Sequence, residues 1–150
     1  MRQSNFLKSR LRGECIPQCI NSHFINEEHS SKHVFLPHAH KNYLELFFVS
    51  QGEGQYMVDG QYYNIRKGDI VIINAGLLHS KSCAFAKNLR SYSVGICDLA
   101  LSGLPDNCLC AKGEPPVVSC GLISDQIGEM FRLIYLLHSD KKHLSDICDC

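Results

Sequence analysis

The chain of 150 residues has the length of one domain, and its 45% hydrophobic and 20% charged residues exclude disordered, collagen-like and coiled-coil polypeptides. Fifteen Lys and Arg balance fifteen Asp and Glu, so the formal charge is zero and there is no field to hold DNA or another polyanion unaided. No apolar run approaches the ~20 residues of a membrane helix, and the charged amino terminus has no apolar stretch of a secretory signal, so a cytoplasmic protein with no membrane partner is expected.

Residues 1–30 mix polar and apolar side chains without a period, include Pro17, and read as an arm or a weak strand. Beyond them the character changes. Segments 33–36, 43–49, 55–58, 61–65, 69–73, 79–85 and 91–96 are short and rich in Val, Ile, Phe and Tyr. Turn formers separate them: Gly52 and Gly54, Asp59-Gly60, Lys67-Gly68, Asn74 to Gly76, and Lys87-Asn88. This rhythm predicts an all-β sandwich or barrel with its core over about 31–100. Asp59-Gly60 is the sharpest local signal, because a type I′ turn requires positive φ at both central residues. After residue 120 the period becomes helical. Ile127, Met130, Phe131, Ile134 and Leu137 share one face of a helix over 124–139, with Ser124 as its N-cap and Asp125 at its positive end, inside a helical segment of about 120–150. The whole chain, 1–150, is expected to be a single domain.

Nine cysteines, at 15, 19, 83, 97, 108, 110, 120, 148 and 150, follow no metal-finger spacing. An odd number in a reducing compartment reads as free thiols packed as small apolar side chains. Cys108 with Cys110, and Cys148 with Cys150, each lack a second pair at finger spacing.

Chemistry concentrates in two blocks. His38 and His40 are two apart, so on a strand they project the same way and can converge on one ion. Glu45 lies in an apolar run, with Tyr43 and Phe47 on its own face and Leu44 and Leu46 on the other. A carboxylate there calls for a charged partner or a metal. Tyr43 and Phe47 are therefore the first pocket candidates, followed by Tyr56, Tyr62 and Tyr63. The second block runs from Gly68 through Gly76 to His79, an imidazole just past a tight turn. Taken singly, each of these groups reads as structural: histidines exposed at a strand end, or Glu45 paired with Arg66, Lys41 or a tyrosine hydroxyl.

Together, His-x-His-x4-Glu-x6-Gly and Gly-x7-Gly-x2-His resemble the two signature motifs of the cupin superfamily. The resemblance implies that His38, His40, Glu45 and His79, from facing strands of a small barrel, hold a divalent metal such as Zn, Ni, Fe or Mn. Ligand type does not choose among these metals. Asn74 stands where the family has a proline, Cys83 where it has an asparagine, and Lys32 where it has a glycine.

Read more finely, the order from His38 to His79 is similar to the N-terminal sensor domain of AraC-type transcription regulators. That likeness continues into the helix after Ser124 and covers about two thirds of the chain. It implies a cupin-type antiparallel β-barrel (jelly roll) with an N-terminal arm and a C-terminal amphipathic helix. It also implies a small-molecule effector such as a sugar, bound near Tyr43, Phe47 and Tyr56, a homodimer, and DNA binding only through a C-terminal domain outside these residues. No enzyme activity is expected on this reading. The alternative is a small cupin metalloenzyme, a dioxygenase, isomerase or decarboxylase, using the same three His and one Glu. A third reading is a domain that only dimerises, its outward Leu44, Leu46 and Phe48 covered by a partner.

Overall fold

The computed structural model describes residues 10–26 and 36–148, so the expected strand at 33–36 falls almost wholly outside the described residues, as do Lys32 and the side chain of Cys83. Six strands and one helix follow in order: β1 (Gln18–Ile25), β2 (Leu44–Val58), β3 (Gln61–Arg66), β4 (Asp69–Ile73), β5 (His79–Cys97), β6 (Val117–Ser119) and, after a 3-10 turn, α1 (Ser124–Cys148). The sheet order is β1-β5-β2-β4-β6, with β3 paired to β2, and every pairing is antiparallel. Among the described residues no helix is long and apolar enough to cross a membrane.

Asp59 and Gly60 have φ of 51° and 79°, and β2 and β3 close through them as a tight hairpin. Two other expected turns are not turns. Gly52 to Gly54 lies inside β2, and Lys87-Asn88 lies inside β5, so four expected strands fuse into two of 15 and 19 residues. The physical reason is a set of bulges. The β2–β5 register slips three times between Val49 and Gln55, and Gly52 and Asn88 take φ of 78° and 50°. A bulge adds a residue and bends the strand without ending its pairing. Bent in this way, β2 pairs with β4 through Glu45 to Phe48 and with β3 through Glu53 to Val58, and β5 follows it along both halves.

Alternation along β2 divides the apolar residues between two sides. Phe47, Val49 and Tyr56 face inward with Ile25, Ile65, Val71, Ile73 and Leu89, forming the main core. Leu46 and Phe48 face outward, and their cover is the chain's own helix rather than a partner molecule. Phe48 stacks on Phe131 with ring centroids 5.2 Å apart, flanked by Ile127 and Ile134. Gly128 permits this approach, since a Cβ there would stand 3.0 Å from the Phe48 ring.

The helical stripe that docks is 127, 131 and 134, narrower than the five residues expected. Met130 and Leu137 point away from the sheet and are 58% and 65% exposed. Ser124 is not an N-cap: its φ of −62° and ψ of −35° are helical, because the 3-10 turn runs directly into α1, whereas a cap residue is non-helical. The segment read as an arm or weak strand contains β1, which pairs with β5 along its length and carries the sheet back to Gln18, ahead of the expected start near 31.

Gly52 tests this architecture. A Cβ at its position would lie 2.4 Å from the carbonyl oxygens of Lys87 and Asn88, at a positive φ that L side chains avoid. Gly52→Ala is expected to lower the unfolding free energy by at least about 2 kcal/mol in urea denaturation; a neutral result would remove the bulge as the source of the bend.

Candidate functional site

The two chemical blocks meet through the backbone. His38 and His79 form an isolated antiparallel bridge in which each N–H donates to the other's carbonyl, at 3.1 and 2.9 Å. Side chains of such a pair lie on the same side of the ladder, and the two rings stand 4.4 Å apart. A further bond from Gly76 N–H to the His40 carbonyl, 2.7 Å, ties the turn before His79 to the first block. His40 lies 4.8 Å from His38 and 5.2 Å from His79, ring to ring. Glu45, at the start of β2, turns inward beneath them. One ligand-type atom from each of His38, His40, Glu45 and His79 lies within 4.8 Å of all the others.

The ring nitrogens are already sorted. His79 Nδ1 stands 3.0 Å from the Leu77 carbonyl and His38 Nδ1 stands 2.9 Å from that of Leu36. A carbonyl only accepts, so each Nδ1 carries the proton and each Nε2 of the neutral ring presents a lone pair to the cluster. His79 is 1% exposed, and its buried Nε2 has no hydrogen-bond partner among the described residues. The Glu45 carboxylate is 3.5 Å away, a charge contact without hydrogen-bond geometry, and the same oxygen lies 3.3 Å from His40 Nε2. Glu45 is thus paired with histidines, not with Arg66, Lys41 or a tyrosine.

Glu45 raises the pKa of both imidazoles beside it, but burial and the remaining contacts leave them shifted in opposite directions. Burial works against charge on His79, but the Glu45 contact, the Leu77 carbonyl and the Glu45 charge together outweigh it, and its pKa rises above 6.5. For His40 burial wins: with His79 and His38 beside it, its pKa falls below 6.5 despite Glu45. Burial first, and the Glu45 charge second, raise the Tyr56 phenol well above its usual range, so it stays neutral.

Below the cluster lies a cavity of about 220 Å³ inside the barrel. His38, His40, Tyr43, Glu45, Phe47 and Tyr56 all line it, while His79 sits buried behind, its ring parallel to that of Tyr56. Tyr62 is 66% exposed and Tyr63 packs at the edge of the main core, so neither joins the site. Two larger clefts, of about 720 and 690 Å³, contain none of the seven candidate residues, so the smaller cavity is the one joined to the chemistry.

Four polar residues of the cavity were not anticipated: Asn21 and His23 on β1, and Lys81 and Ser93 on β5. Lys81 was within reach of sequence reasoning, since it lies two residues beyond His79 and so on the same strand face. Asn21 and His23 were hidden because their segment lacks the apolar alternation of a core strand. Asn21 packs over Gly95, where a Cβ would come within 2.6 Å of its amide, and its side chain bonds to the Tyr43 phenol. Tyr43 in turn stacks on His40, centroids 4.3 Å apart and planes 19° from parallel. Asn74 also finds its use. Its side chain donates to the Cys110 carbonyl at 2.7 Å and accepts from the N–H groups of Leu109 and Cys110, clasping the loop before β6. Asn107 of the same loop donates to the Asn42 carbonyl, between His40 and Glu45.

Comparison with known proteins adds three findings. A family model described as AraC-like ligand binding domain matches residues 22–146. The uncharacterized HTH-type transcriptional regulator YdiP of Escherichia coli (strain K12) is 24% identical over 106 residues, 71% of this chain and 35% of YdiP, so the chain spans about a third of that relative's length. Among solved structures, a predicted oxalate decarboxylase from Thermotoga maritima aligns with 20% identity and a TM-score of 0.40, over 58% of this chain and 97% of that one. A cupin protein from Bacteroides fragilis aligns with 14% identity and a TM-score of 0.38, over 69% and 91%.

The divided acidities are measurable. The fold favours protonated His79, so that contribution to stability is complete below pH 6.5 and is lost as pH rises through the raised value. His40 has the opposite sign, and costs stability as pH falls through 6.5. In metal-free protein, NMR titration of the imidazole protons should give a midpoint above 6.5 for His79 and below 6.5 for His40, and Glu45→Gln should lower the first. Equal midpoints would show that burial does not outweigh the Glu45 contact at His40 while yielding to it at His79.

Proposed function

The chain belongs to the family of AraC-like ligand-binding domains, and from that membership we propose that it is a single sensor domain that binds a small effector inside the barrel and governs a DNA-binding part lying outside these residues. The observation that carries the proposal is the cavity beneath the cluster, in which aromatic walls and a few convergent polar groups meet, as in small-molecule sites generally. Tyr43, Phe47 and Tyr56 would contact the body of the effector.

His38, His40, Glu45 and His79 would hold a divalent metal, with Zn, Ni, Fe and Mn all compatible with three imidazoles and a carboxylate. The residues fit an ion: four donor atoms converge, and the buried Nε2 of His79 is left without a hydrogen-bond partner while its Nδ1 is committed to a carbonyl. Carbonyls that fix ligand histidines in this way raise their basicity toward the metal. When bound, such an ion supplies a Lewis acid for an oxygen of the ligand.

Two routes lead from the cavity to the rest of a regulator. Asn21, His23 and Ile25 put β1 in the cavity wall, so occupancy is felt by the amino-terminal segment. On the outside, Met130, Leu133 and Leu137, spaced i, i+3 and i+7, form an exposed apolar stripe on α1 that a second copy of the chain would cover in a homodimer.

The intact three-His, one-Glu set also favours the metalloenzyme reading, and consumption of a bound ligand on prolonged incubation would select it. Elemental analysis of purified protein is expected to find one divalent ion per chain, and His79→Ala to bind it at least about tenfold more weakly. A metal-free parent that regains none on dialysis would sink the metal assignment and leave the sensor cavity standing. Hydrogen exchange with and without a bound effector should change protection in β1; identical protection would count against sensing through that strand.

A further inference from the structure

Strands β1 and β5 carry the cavity on one face and the helix on the other. His23 of β1 stands directly opposite Ser93 of β5, and both line the cavity. The next rung of the same ladder is Phe24 opposite Tyr92, and alternation turns that pair to the outer face. There the two rings lie 4.9 Å apart, centroid to centroid, and Tyr135 of α1 closes over them at 6.2 Å from Phe24 and 5.9 Å from Tyr92. One rung borders the cavity and the adjoining rung holds the helix.

We propose that this aromatic seat of Phe24, Tyr92 and Tyr135 is the contact through which the state of the cavity reaches α1, an occupied cavity shifting the part of the helix from Tyr135 onward. The inference deepens the sensor reading above and rests on it. The first support is continuity. His40 stacks on Tyr43 at 4.3 Å, the Tyr43 phenol bonds to the Asn21 side chain, and Asn21 packs over Gly95, its direct partner across the ladder and three residues before Phe24. A close-packed interior has few voids in which to absorb a displacement, so it passes strain along such a line.

The second support is the difference between the two places where α1 docks. Around Phe131 the helix is fixed: that ring stacks on Phe48 at 5.2 Å and 16° from parallel, Ile127 and Ile134 flank it, and Gly128 permits the close approach. One turn further on, Tyr135 meets Phe24 and Tyr92 at wider, tilted spacings. Ser22, on the same face of β1 as Phe24, keeps a buried hydroxyl with no hydrogen-bond partner among the described residues. An unpaired buried hydroxyl is costly, and an opened seat reached by water sheds that cost. The closed and opened seats are thereby brought closer in free energy, the condition for a bound molecule to select between them. The third support is where the shift would be felt. Leu137, in the exposed apolar stripe, lies two residues beyond Tyr135, so movement there alters the surface that a second copy would meet.

The test is hydrogen exchange of the whole chain, followed in β1 and in two stretches of α1, 124–131 and 135–139. The cavity is perturbed in two independent ways, by zinc ion added to metal-free protein and by Ser93→Leu, whose longer side chain enters the cavity beside His23. Ser93→Val takes its place if the leucine variant does not fold. Each perturbation is expected to change exchange in β1 and to change it in 135–139 by at least about twofold, the scale of one aromatic contact, with 124–131 unaltered. Phe24→Leu, compared with the same variant unperturbed, should abolish the response in 135–139 and leave that of β1, whereas Phe24→Tyr, which keeps the ring, should retain both.

A response in β1 with none in 135–139, or a response in 135–139 that persists at full size in Phe24→Leu, would overturn the proposal and leave the sensor reading standing. Exchange unchanged in β1 under both perturbations would remove sensing through that strand, and the relay with it. Silence to zinc alone would remove the metal assignment, and the Ser93 variant would then decide the relay.

Discussion

Two backbone hydrogen bonds between His38 and His79 make this site possible. The residues are 41 positions apart in sequence, and each motif alone presents only histidines at a strand end. Exchange of both N–H···O bonds holds the two backbones in a directly opposed pair and points both rings into the same space. With that pair in place, His40 comes from the same block two residues on, and Glu45 from the first turn of chain into β2. The Leu36 and Leu77 carbonyls, each two residues before its histidine, then take the Nδ1 protons and leave the Nε2 atoms facing inward.

The cavity beneath the cluster depends on how β2 and β5 bend. Straight strands of 15 and 19 residues would form a flat ribbon with no interior. Bulges around Gly52 and Asn88 bend both strands together and let each continue into a second set of partners. The same alternation then serves two purposes on β2. Inward residues, Glu45, Phe47 and Tyr56, build the cavity wall. Outward residues, Leu46 and Phe48, build the seat for α1. Site and helix therefore share a strand, with their side chains on opposite faces of it.

Among the described residues lining the cavity, Glu45 is the one acid, and the electrostatics of the cluster follow from it. One carboxylate serves two imidazoles and favours the protonated form of each. At His79 burial is outweighed by the contacts to Glu45 and the Leu77 carbonyl and the pKa rises, whereas at His40 burial wins and the pKa falls. Lys81, on the same face of β5 as His79, adds a positive group to a space already rich in imidazole. The loop ahead of β6 steadies this arrangement from outside through Asn74 and Asn107, the first of which stands where cupins carry a proline. An amide there exchanges a rigid ring for three hydrogen bonds to the loop.

Local chemistry was enough to read the hairpin at Asp59-Gly60 and the all-β class, because turn dihedrals and strand alternation are short-range properties; the resemblance of two motifs pointed to the family and to His38, His40, Glu45 and His79, four side chains that the fold brings together. The two-sided character of β2 was equally legible in its alternation. What closes each face was not, since Leu46 and Phe48 meet a helix some 80 residues further on, and only packing shows that Phe131 covers them and that Met130 and Leu137 are left outside. Glycine at 52 and the Lys87-Asn88 pair are ordinary turn signals; they became bulges because the partner strand supplied pairing on both sides of them. β1 carries no apolar period of its own, and its place in the cavity wall is decided by its pairing with β5, a contact across about 70 residues that no local pattern encodes.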